Sequence, residues 1–499
     1  MSDAALLSLS VDRLSERPLF HQLYEDLRAQ ILSGRLRPNS KLPPTRQFAC
    51  ELGLSRSTVT AAYDQLVSEG YARGRRGSGI FVCELPENCL QTATRRILPR
   101  PDGGRRRPAE ADPEPFRQGV PDMRLFPYES WAKAVARVSR SAPRRLILSD
   151  DCFGDYDLRI ALALHLAEWR GLAAAPEQIM VTSGAAGALE LIFRALAGQG
   201  DAVALEDPGY PPIRRIAETM GLRPVWMPVD AGGADPQGLS GPGPAPKLII
   251  LTPSHQFPLG GAMPLARRLD FLDHAERSGG YIVEDDFDSE FRYAGRPIPA
   301  MAGMKDSGRV LYVGSFSKVF SAHLRLGFLV IPDPLVERFR RTIAAYGVGA
   351  SIMPQRPLAD FLQSGEFHRH IRRMRRIYGA RRVAFFDLVD RELGGLVTYT
   401  DHQAGMTVLL KLPDGFDDRA IARRAADVGV TLQPASDFYA ERPRKPGLLA
   451  GFSAFEPEQM AAPMQALAKI LGASDPRPEA PPPARNRSRA SGSNNPPNK

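Results

Sequence analysis

Glu284-Asp-Asp-Phe-Asp288 and, further along, Val313-Gly-Ser-Phe-Ser-Lys318-Val-Phe320 are the stretches on which the reading of this chain turns. Each follows a short apolar run, Tyr281-Ile-Val283 and Arg309-Val-Leu-Tyr-Val313, of the length and composition of a buried strand. Working outward, Gln178–Thr182, Ala202–Leu205 and Lys247–Leu251 are runs of the same kind, and helical patterns separate them. That alternation predicts an α/β fold with a mostly parallel sheet and helices on both faces.

An aspartate at the end of one such strand and a lysine just beyond the next are the minimum equipment of a pyridoxal phosphate (PLP) site: an amine for the cofactor's aldehyde and a carboxylate for its pyridinium nitrogen. Lys318 is the candidate Schiff-base lysine and Asp285 the candidate pyridinium partner. The phosphate needs backbone amides and an arginine. Thr182-Ser-Gly-Ala-Ala-Gly-Ala-Leu189 follows a strand and opens a helix, so Ser183, Gly184, Ala185 and Ala186 are placed to receive it. Ser315 and Ser317 flank the lysine, and Arg325 in Leu324-Arg-Leu-Gly-Phe328 offers a second clamp. Tyr210, at the end of Glu206-Asp-Pro-Gly-Tyr210, is available to stack on the ring.

The first eighty residues read differently. Phe20, Leu23, Tyr24, Leu27 and Ile31 form one helical stripe; Thr45 can cap a second helix with Phe48, Ala49 and Leu52 inward. Gly53-Leu54 makes a turn. Ser55 caps a third helix that buries Val59, Ala62, Tyr63 and Leu66 and leaves Arg56, Ser57 and Thr60 outward near its start, where a recognition helix meets base edges. Tyr71-Ala-Arg73 and Ile80-Phe-Val82 then flank Gly74-Arg-Arg-Gly-Ser-Gly79, a cationic hairpin tip suited to phosphates.

The expected organisation is therefore a flexible N-terminus at 1–16, a winged helix-turn-helix at 17–83, an Arg/Pro/Gly-rich linker at 84–115, a PLP-binding domain at 116–473 and a disordered tail at 474–499. Of the net charge of +9, residues 1–110 carry +5 and the tail +3, so the basic excess belongs to the two ends. A polyanionic partner for the first domain or plain solubility both account for it. Cys50, Cys83, Cys89 and Cys152 show no spacing of a zinc site or disulfide framework, and His368 and His370 diverge on a helix, so no metal is expected. No secretory leader or membrane-spanning run is visible, which places the chain in the cytoplasm with no membrane partner.

Leu42-Pro-Pro-Thr-Arg-Gln-Phe-Ala49, Leu54-Ser-Arg-Ser-Thr-Val-Thr-Ala-Ala-Tyr63 and Gly77-Ser-Gly-Ile-Phe-Val82 resemble, in order, the winged helix of the GntR family of bacterial repressors. The resemblance implies that Arg46, Arg56, Ser57 and Thr60 contact double-stranded operator DNA, and that Arg75, Arg76 and Gly77 form the wing. Residues 150–330 resemble fold-type-I aminotransferases. Thr252-Pro-Ser-His-Gln-Phe-Pro-Leu-Gly260 and Glu284-Asp-Asp-Phe-Asp-Ser-Glu-Phe-Arg-Tyr293 are closer still to the MocR/GabR subfamily of GntR regulators, which has this domain order.

That resemblance implies a PLP-dependent transcriptional regulator, a homodimer in head-to-tail arrangement, with a small amine, amino acid or PLP itself as effector. The sequence also departs from the enzymes it resembles. Phe257 stands where aminotransferases have an Asn for the cofactor's 3′ oxygen, and Phe287 where the regulators commonly have Tyr. Leu449, in Leu448-Leu-Ala-Gly-Phe452, stands where aminotransferases present an Arg for the substrate carboxylate. Arg214 and Arg215 are candidate substitutes. These departures favour a sensor over an active aminotransferase with an accessory DNA module, or over a repressor whose PLP fold is inert.

Overall fold

The structure, a computed structural model, describes residues 12, 17–75, 77–85, 114–148, 151–241, 243–295, 298–304, 308–347, 349–441 and 443–474. The segments expected at 1–16, 84–115 and 474–499 lie wholly or largely outside these residues, as do Arg76 and Cys89. The chain divides into two compact units, Met1–Ala111 and Asp112–Lys499.

The first unit contains helices α1 (Leu19–Leu32), α2 (Thr45–Leu52) and α3 (Arg56–Ser68), then an antiparallel hairpin of β1 (Ala72–Arg75) and β2 (Gly79–Val82). Leu23, Tyr24, Leu27 and Ile31 pack against Phe48, Val59, Ala62, Tyr63 and Leu66 in one small core, while Phe20 is only half-buried. Gly53 ends α2 at φ 62°, a left-handed conformation that favours glycine. Ser55 caps α3 by accepting from the Thr58 amide at 3.0 Å. Thr45 does not cap α2: Pro44 holds the cap position and Thr45 is the first helical residue, because the fixed φ of proline already sets the chain for helix entry. The hairpin tip is narrower than expected, since Gly74 and Arg75 continue β1 and pair with Ile80 and Gly79.

The second unit runs α4 (Tyr128–Ser141), α5 (Tyr156–Arg170), β3 (Ile179–Thr182), α6 (Gly184–Leu196), β4 (Ala202–Asp207), α7 (Pro211–Thr219), β5 (Arg223–Asp230), β6 (Gly233–Ala234), β7 (Leu248–Leu251), α8 (Leu265–Ser278), β8 (Tyr281–Asp286), β9 (Val310–Ser315) and β10 (Gly327–Val330). It continues with α9 (Asp333–Tyr346), α10 (Gln355–Gln363), α11 (Glu366–Leu393), β11 (Thr407–Lys411), α12 (Asp418–Asp427), β12 (Gln433–Pro434), β13 (Gly447–Gly451) and α13 (Pro457–Gly472). The large sheet has the order β3-β10-β9-β8-β7-β4-β5-β6. Strands β9, β8, β7, β4 and β5 are parallel, whereas β10 is antiparallel to both its neighbours and β6 to β5.

Alternation along each strand feeds both faces. Val181, Tyr312 and Phe328 point into a core with α5, α10 and α11; Met180, Val313 and Leu329 point into another with α6 and α9. A second, three-stranded sheet in the order β11-β13-β12 packs with α12 and α13 around Leu410, Leu448 and Leu467. The carboxyl ends of β4, β7 and β8 therefore open toward the loops that carry the motifs, the usual place for a ligand in an open α/β sheet.

Leu27 is fully buried in the first unit's core. Leu27→Ala should destabilise that unit by about 2–5 kcal/mol, read as an earlier urea transition of the DNA-binding unit with the second unit's transition unmoved.

Candidate functional site

One cavity of about 360 Å³ gathers Ser183, Gly184, Ala185, Ala186, Tyr210, Asp285, Ser315, Ser317, Lys318 and Arg325, all the residues named from the sequence for the cofactor. They arrive from four places. Ser183–Ala186 form the turn from β3 into α6; Tyr210 precedes α7; Asp285 is the last residue but one of β8; and Ser315 ends β9, with Ser317, Lys318 and Arg325 following it.

Lys318 lies in a wide helical turn over Ser317–Ser321 and donates from Nζ to the Gly119 carbonyl at 2.7 Å. Burial lowers its pKa, with Asp288 opposing the shift, so more of the amine is neutral than in water. Gly119 has φ 61°, a left-handed conformation that favours glycine, and a Cβ there would come within 2.4 Å of Nζ and push the amine from its place. The Ser315 hydroxyl accepts from the Ser317 amide at 3.1 Å and donates to the Ser317 hydroxyl at 3.0 Å, which fixes the approach to the lysine. Arg325 is exposed at φ 49° on the cavity wall.

Asp285 is buried, and its Oδ1 meets no hydrogen-bond partner among the described residues. Burial, with Asp286, Glu206 and Asp288 nearby, pushes its carboxyl up to about 7. An orphaned, buried acceptor surrounded by carboxylates is what a cationic N–H donor would satisfy, so the residues present fit a protonated pyridine ring. At the opening of α6, Ser183 makes no side-chain cap bond, and the first-turn amides of Gly184, Ala185 and Ala186 have no partner within the helix, as phosphate binding needs.

Structural groups without a local sequence signal complete the site. Glu206, pushed up to about 7 by burial, accepts from the Thr252 amide at 3.1 Å and the Gln256 amide nitrogen at 3.1 Å. Arg170 reaches Asp286 at 2.8 Å and donates to the Ser254 hydroxyl at 2.6 Å. His255 pairs with Asp288 at 2.9 Å. Arg382, from α11, donates to Asp401 through both Nε and Nη2. Glu206, Asp288 and His255 were in view as parts of motifs; their partners lie 33 to 50 residues away, and that separation hid the pairings.

Phe257 and Phe287 meet edge to face at 5.7 Å, and Phe287 stacks on His255. Neither ring supplies a polar donor. Tyr210 is 45% exposed and meets Phe257 edge-on at 5.7 Å. Arg214 and Arg215 do not line the cavity: Arg214 donates to the Tyr439 carbonyl at 3.4 Å and Arg215 faces outward, because α7 turns that face away. Leu449 is fully buried.

In the first unit Arg46, Arg56, Ser57, Arg75 and Gly77 are exposed. Thr60 is half-buried and its hydroxyl donates back to the Arg56 carbonyl at 2.9 Å, leaving it an acceptor. Arg56 heads α3, and Arg75 stacks over Phe81 at 4.8 Å near the hairpin tip.

A helix-turn-helix with a cationic hairpin, joined in one chain to a lysine-bearing aminotransferase-like cavity, defines a DNA-binding regulator with a cofactor domain. Residues 19–82 match the bacterial regulatory proteins of the gntR family, and residues 117–449 match aminotransferase class I and II. The chain is 37% identical over 462 residues, 91% of its length and 93% of the relative's, to the probable rhizopine catabolism regulatory protein MocR of Rhizobium meliloti. It is 29% identical to 2-aminoadipate transaminase of Thermus thermophilus over 71% of this chain and 89% of the enzyme. The crystal structure of the α-aminoadipate aminotransferase LysN from that organism, complexed with N-(5′-phosphopyridoxyl)-L-leucine, superposes with a TM-score of 0.65 at 28% identity, covering 72% of this chain and 91% of LysN. The chain belongs to the MocR subfamily of GntR-family transcriptional regulators, and its cofactor is pyridoxal 5′-phosphate.

Glu206, Glu284 and Asp285 hold their protons to about pH 7 when folded, whereas the unfolded chain releases them near pH 4. Between those values the folded state binds more protons, so this contribution to stability falls as pH rises and is lost above 7. Relative to Asp285→Asn, the cofactor-free wild type should lose on the order of 2–4 kcal/mol between pH 4 and pH 8. Urea denaturation of both proteins measures it; a difference that stays flat with pH would mean that Asp285 ionises normally.

Proposed function

We propose that this regulator reads a primary amine at Lys318 and converts its binding into a change in operator affinity. The single observation that carries this is the combination of a complete cofactor cradle with apolar rings at Phe257 and Phe287. In this reading Asp285 holds the pyridinium proton at Oδ1, the amides of Gly184, Ala185 and Ala186 with Ser183, Ser315, Ser317 and Arg325 hold the phosphate, and Tyr210 covers the ring. When bound, the cofactor supplies an aldehyde for which Lys318 and an incoming amine compete.

The protein's own residues then favour binding over turnover. Lys318, its pKa lowered by burial, lies beside the Gly119 carbonyl and can take up or give back a proton there. Phe257 and Phe287 exclude water and offer no hydrogen bond, so proton movement away from Lys318 is slow and the bound amine persists. A sensor requires that persistence, since an enzyme would consume its signal.

Residues 17–83 act as the operator reader, with Arg46, Arg56, Ser57 and Thr60 on the groove and Arg75, Arg76 and Gly77 on the wing. The working form is a head-to-tail homodimer in the cytoplasm. Exposed Tyr128, Ile147, Leu148, Tyr156 and Leu164 support an interface on α4, α5 and the segment between them. Among the described residues no helix is long and apolar enough to cross a membrane. The transaminase relative favours a second reading, an active aminotransferase with an accessory DNA module.

Borohydride treatment of the PLP-loaded protein should fix the cofactor's mass on the peptide containing Lys318, and Lys318→Ala should abolish it while the fold persists. Addition of a cognate amine should shift the visible spectrum and change operator affinity with little keto acid or aldehyde formed. Rapid turnover of an amino donor that leaves DNA binding unchanged would establish the enzyme instead. Arg56→Ala should weaken operator binding by about 1–3 kcal/mol; unaltered binding to the protein's own promoter region at several salt concentrations would remove Arg56 from the interface.

A further inference from the structure

Where Leu409 and Leu449 stand, the part of the cavity formed by the second sheet is apolar, with the exposed Lys411 two residues further along the same face of β11. Leu409 and Leu449 are register partners on β11 and β13, and with Ala435 and Phe438 they form a small buried cluster against Phe257 and Leu259. Leu409, Phe257 and Leu259 line the cavity, and Leu449 lies fully buried directly behind them. The polar group on this side is neutral: Gln118, which lines the cavity next to Gly119, donates its side-chain amide to the Gln433 side chain, and Gln433 is paired across the strands with Leu449. The Lys318 amine is tethered to that same Gly119, so a ligand held at Lys318 has this amide pair and this apolar wall beside it.

The remaining cationic groups around the cavity are paired with a carboxylate or exposed to solvent. Among the described residues the lining arginines and lysines besides Lys318 are Arg325, Arg382 and Lys411. Arg325 is exposed on the cavity wall and is assigned above to the phosphate. Arg382 is clamped by both oxygens of Asp401. Lys411 is exposed at the end of β11, a solvated ammonium on a flexible stem. His255 is neutralised by Asp288, and burial lowers the pKa of His402, so it faces the cavity as a neutral ring at pH 7. A carboxylate pressed against Leu409, Phe257 and Leu259 would lose its water without gaining a partner, and an unpaired buried charge is among the costliest arrangements a site can hold.

We propose that the effector of this regulator is a primary amine that carries no carboxylate, selected because Leu409, Phe257 and Leu259 present an apolar face where an amino acid would need a paired cation. The proposal rests on the reading of the cavity as an amine sensor and specifies the class of amine it accepts. A hydroxyl or amide on the ligand can bond to the Gln118–Gln433 pair; a carboxylate would find amide N–H donors there but no opposite charge to offset its desolvation.

The test uses the full-length, PLP-loaded protein and three pairs of compounds that differ by one carboxylate: phenethylamine and phenylalanine, 1,4-diaminobutane and ornithine, propylamine and 4-aminobutanoate. Binding is followed by the shift of the visible spectrum and by operator affinity. The expected result is that, within each pair that binds, the amine has at least a tenfold lower Kd than its carboxylated partner, and that Leu449→Arg narrows or reverses the difference. The wild-type panel decides the matter even where Leu449→Arg fails to fold. Equal or tighter binding of the acids overturns the proposal while leaving amine sensing intact, and loss of that binding in Lys411→Ala would identify Lys411 as the carboxylate anchor. If no compound of either kind shifts the spectrum although borohydride fixes the cofactor on Lys318, the amine-sensing reading itself is overturned, and this inference with it.

Discussion

Five carboxyl groups, Glu206, Glu284, Asp285, Asp286 and Asp288, are buried together at the carboxyl ends of β4 and β8 and just beyond, and the large domain is arranged around keeping them there. Placed in a low-dielectric interior, they repel one another and resist ionisation, which is why Glu206, Glu284 and Asp285 keep their protons to about pH 7. Arg170 reaches across from the end of α5 to Asp286, His255 to Asp288, and Thr252 with Gln256 to Glu206. Asp285 is left with an unfilled acceptor. The cluster thus leaves an unfilled acceptor at Asp285 Oδ1, on the cavity wall, where the proposed pyridinium nitrogen would meet it.

That arrangement explains why cofactor binding and catalysis need not go together. The small-residue turn at Ser183–Ala186, Asp285 and Lys318, to which the proposed cofactor roles fall, sit at the ends of β3, β8 and β9, which the sheet fixes irrespective of the side chains around them. Chemistry on the cofactor depends on the neighbours, and here those are Phe257, Phe287 and the Leu409–Leu449 wall. A fold shared with LysN can accordingly serve a regulator by changing the rings and aliphatic groups that face the ligand while leaving the frame alone.

Much of the site was legible because its residues are tied to strand ends. A strand that ends in Asp285-Asp286, another that runs into Ser315-Phe-Ser-Lys318, and a small-residue turn at Ser183–Ala186 announce themselves through local composition, and the cavity brings Asp285, Lys318 and the turn together. The winged helix was legible for the same reason, since the stripe of Leu23, Leu27 and Ile31 and the Ser55 cap are short-range patterns. Thr45 was misjudged as a cap because Pro44 can set helix entry by its ring alone. Arg214 and Arg215 offered charge in the right part of the sequence, but the sequence carries no sign of which way α7 turns its faces.

What the sequence by itself determined is the order of elements, the periodicity that makes a mostly parallel sheet with a winged helix before it, and the motifs that place Lys318 and Asp285 at neighbouring strand ends. All of these follow from interactions between residues a few positions apart. What only the tertiary structure decided is the company those residues keep: Gly119 opposite Lys318, Arg170 beneath Asp286, Arg382 closed on Asp401, and Gln118 joined to Gln433 beside Leu449. These contacts span 19 to 315 positions along the chain. Burial and pairing are properties of the packed interior, and a charge is costly, satisfied or unmet only according to which distant backbone and side-chain groups the fold brings within about 3 Å of it.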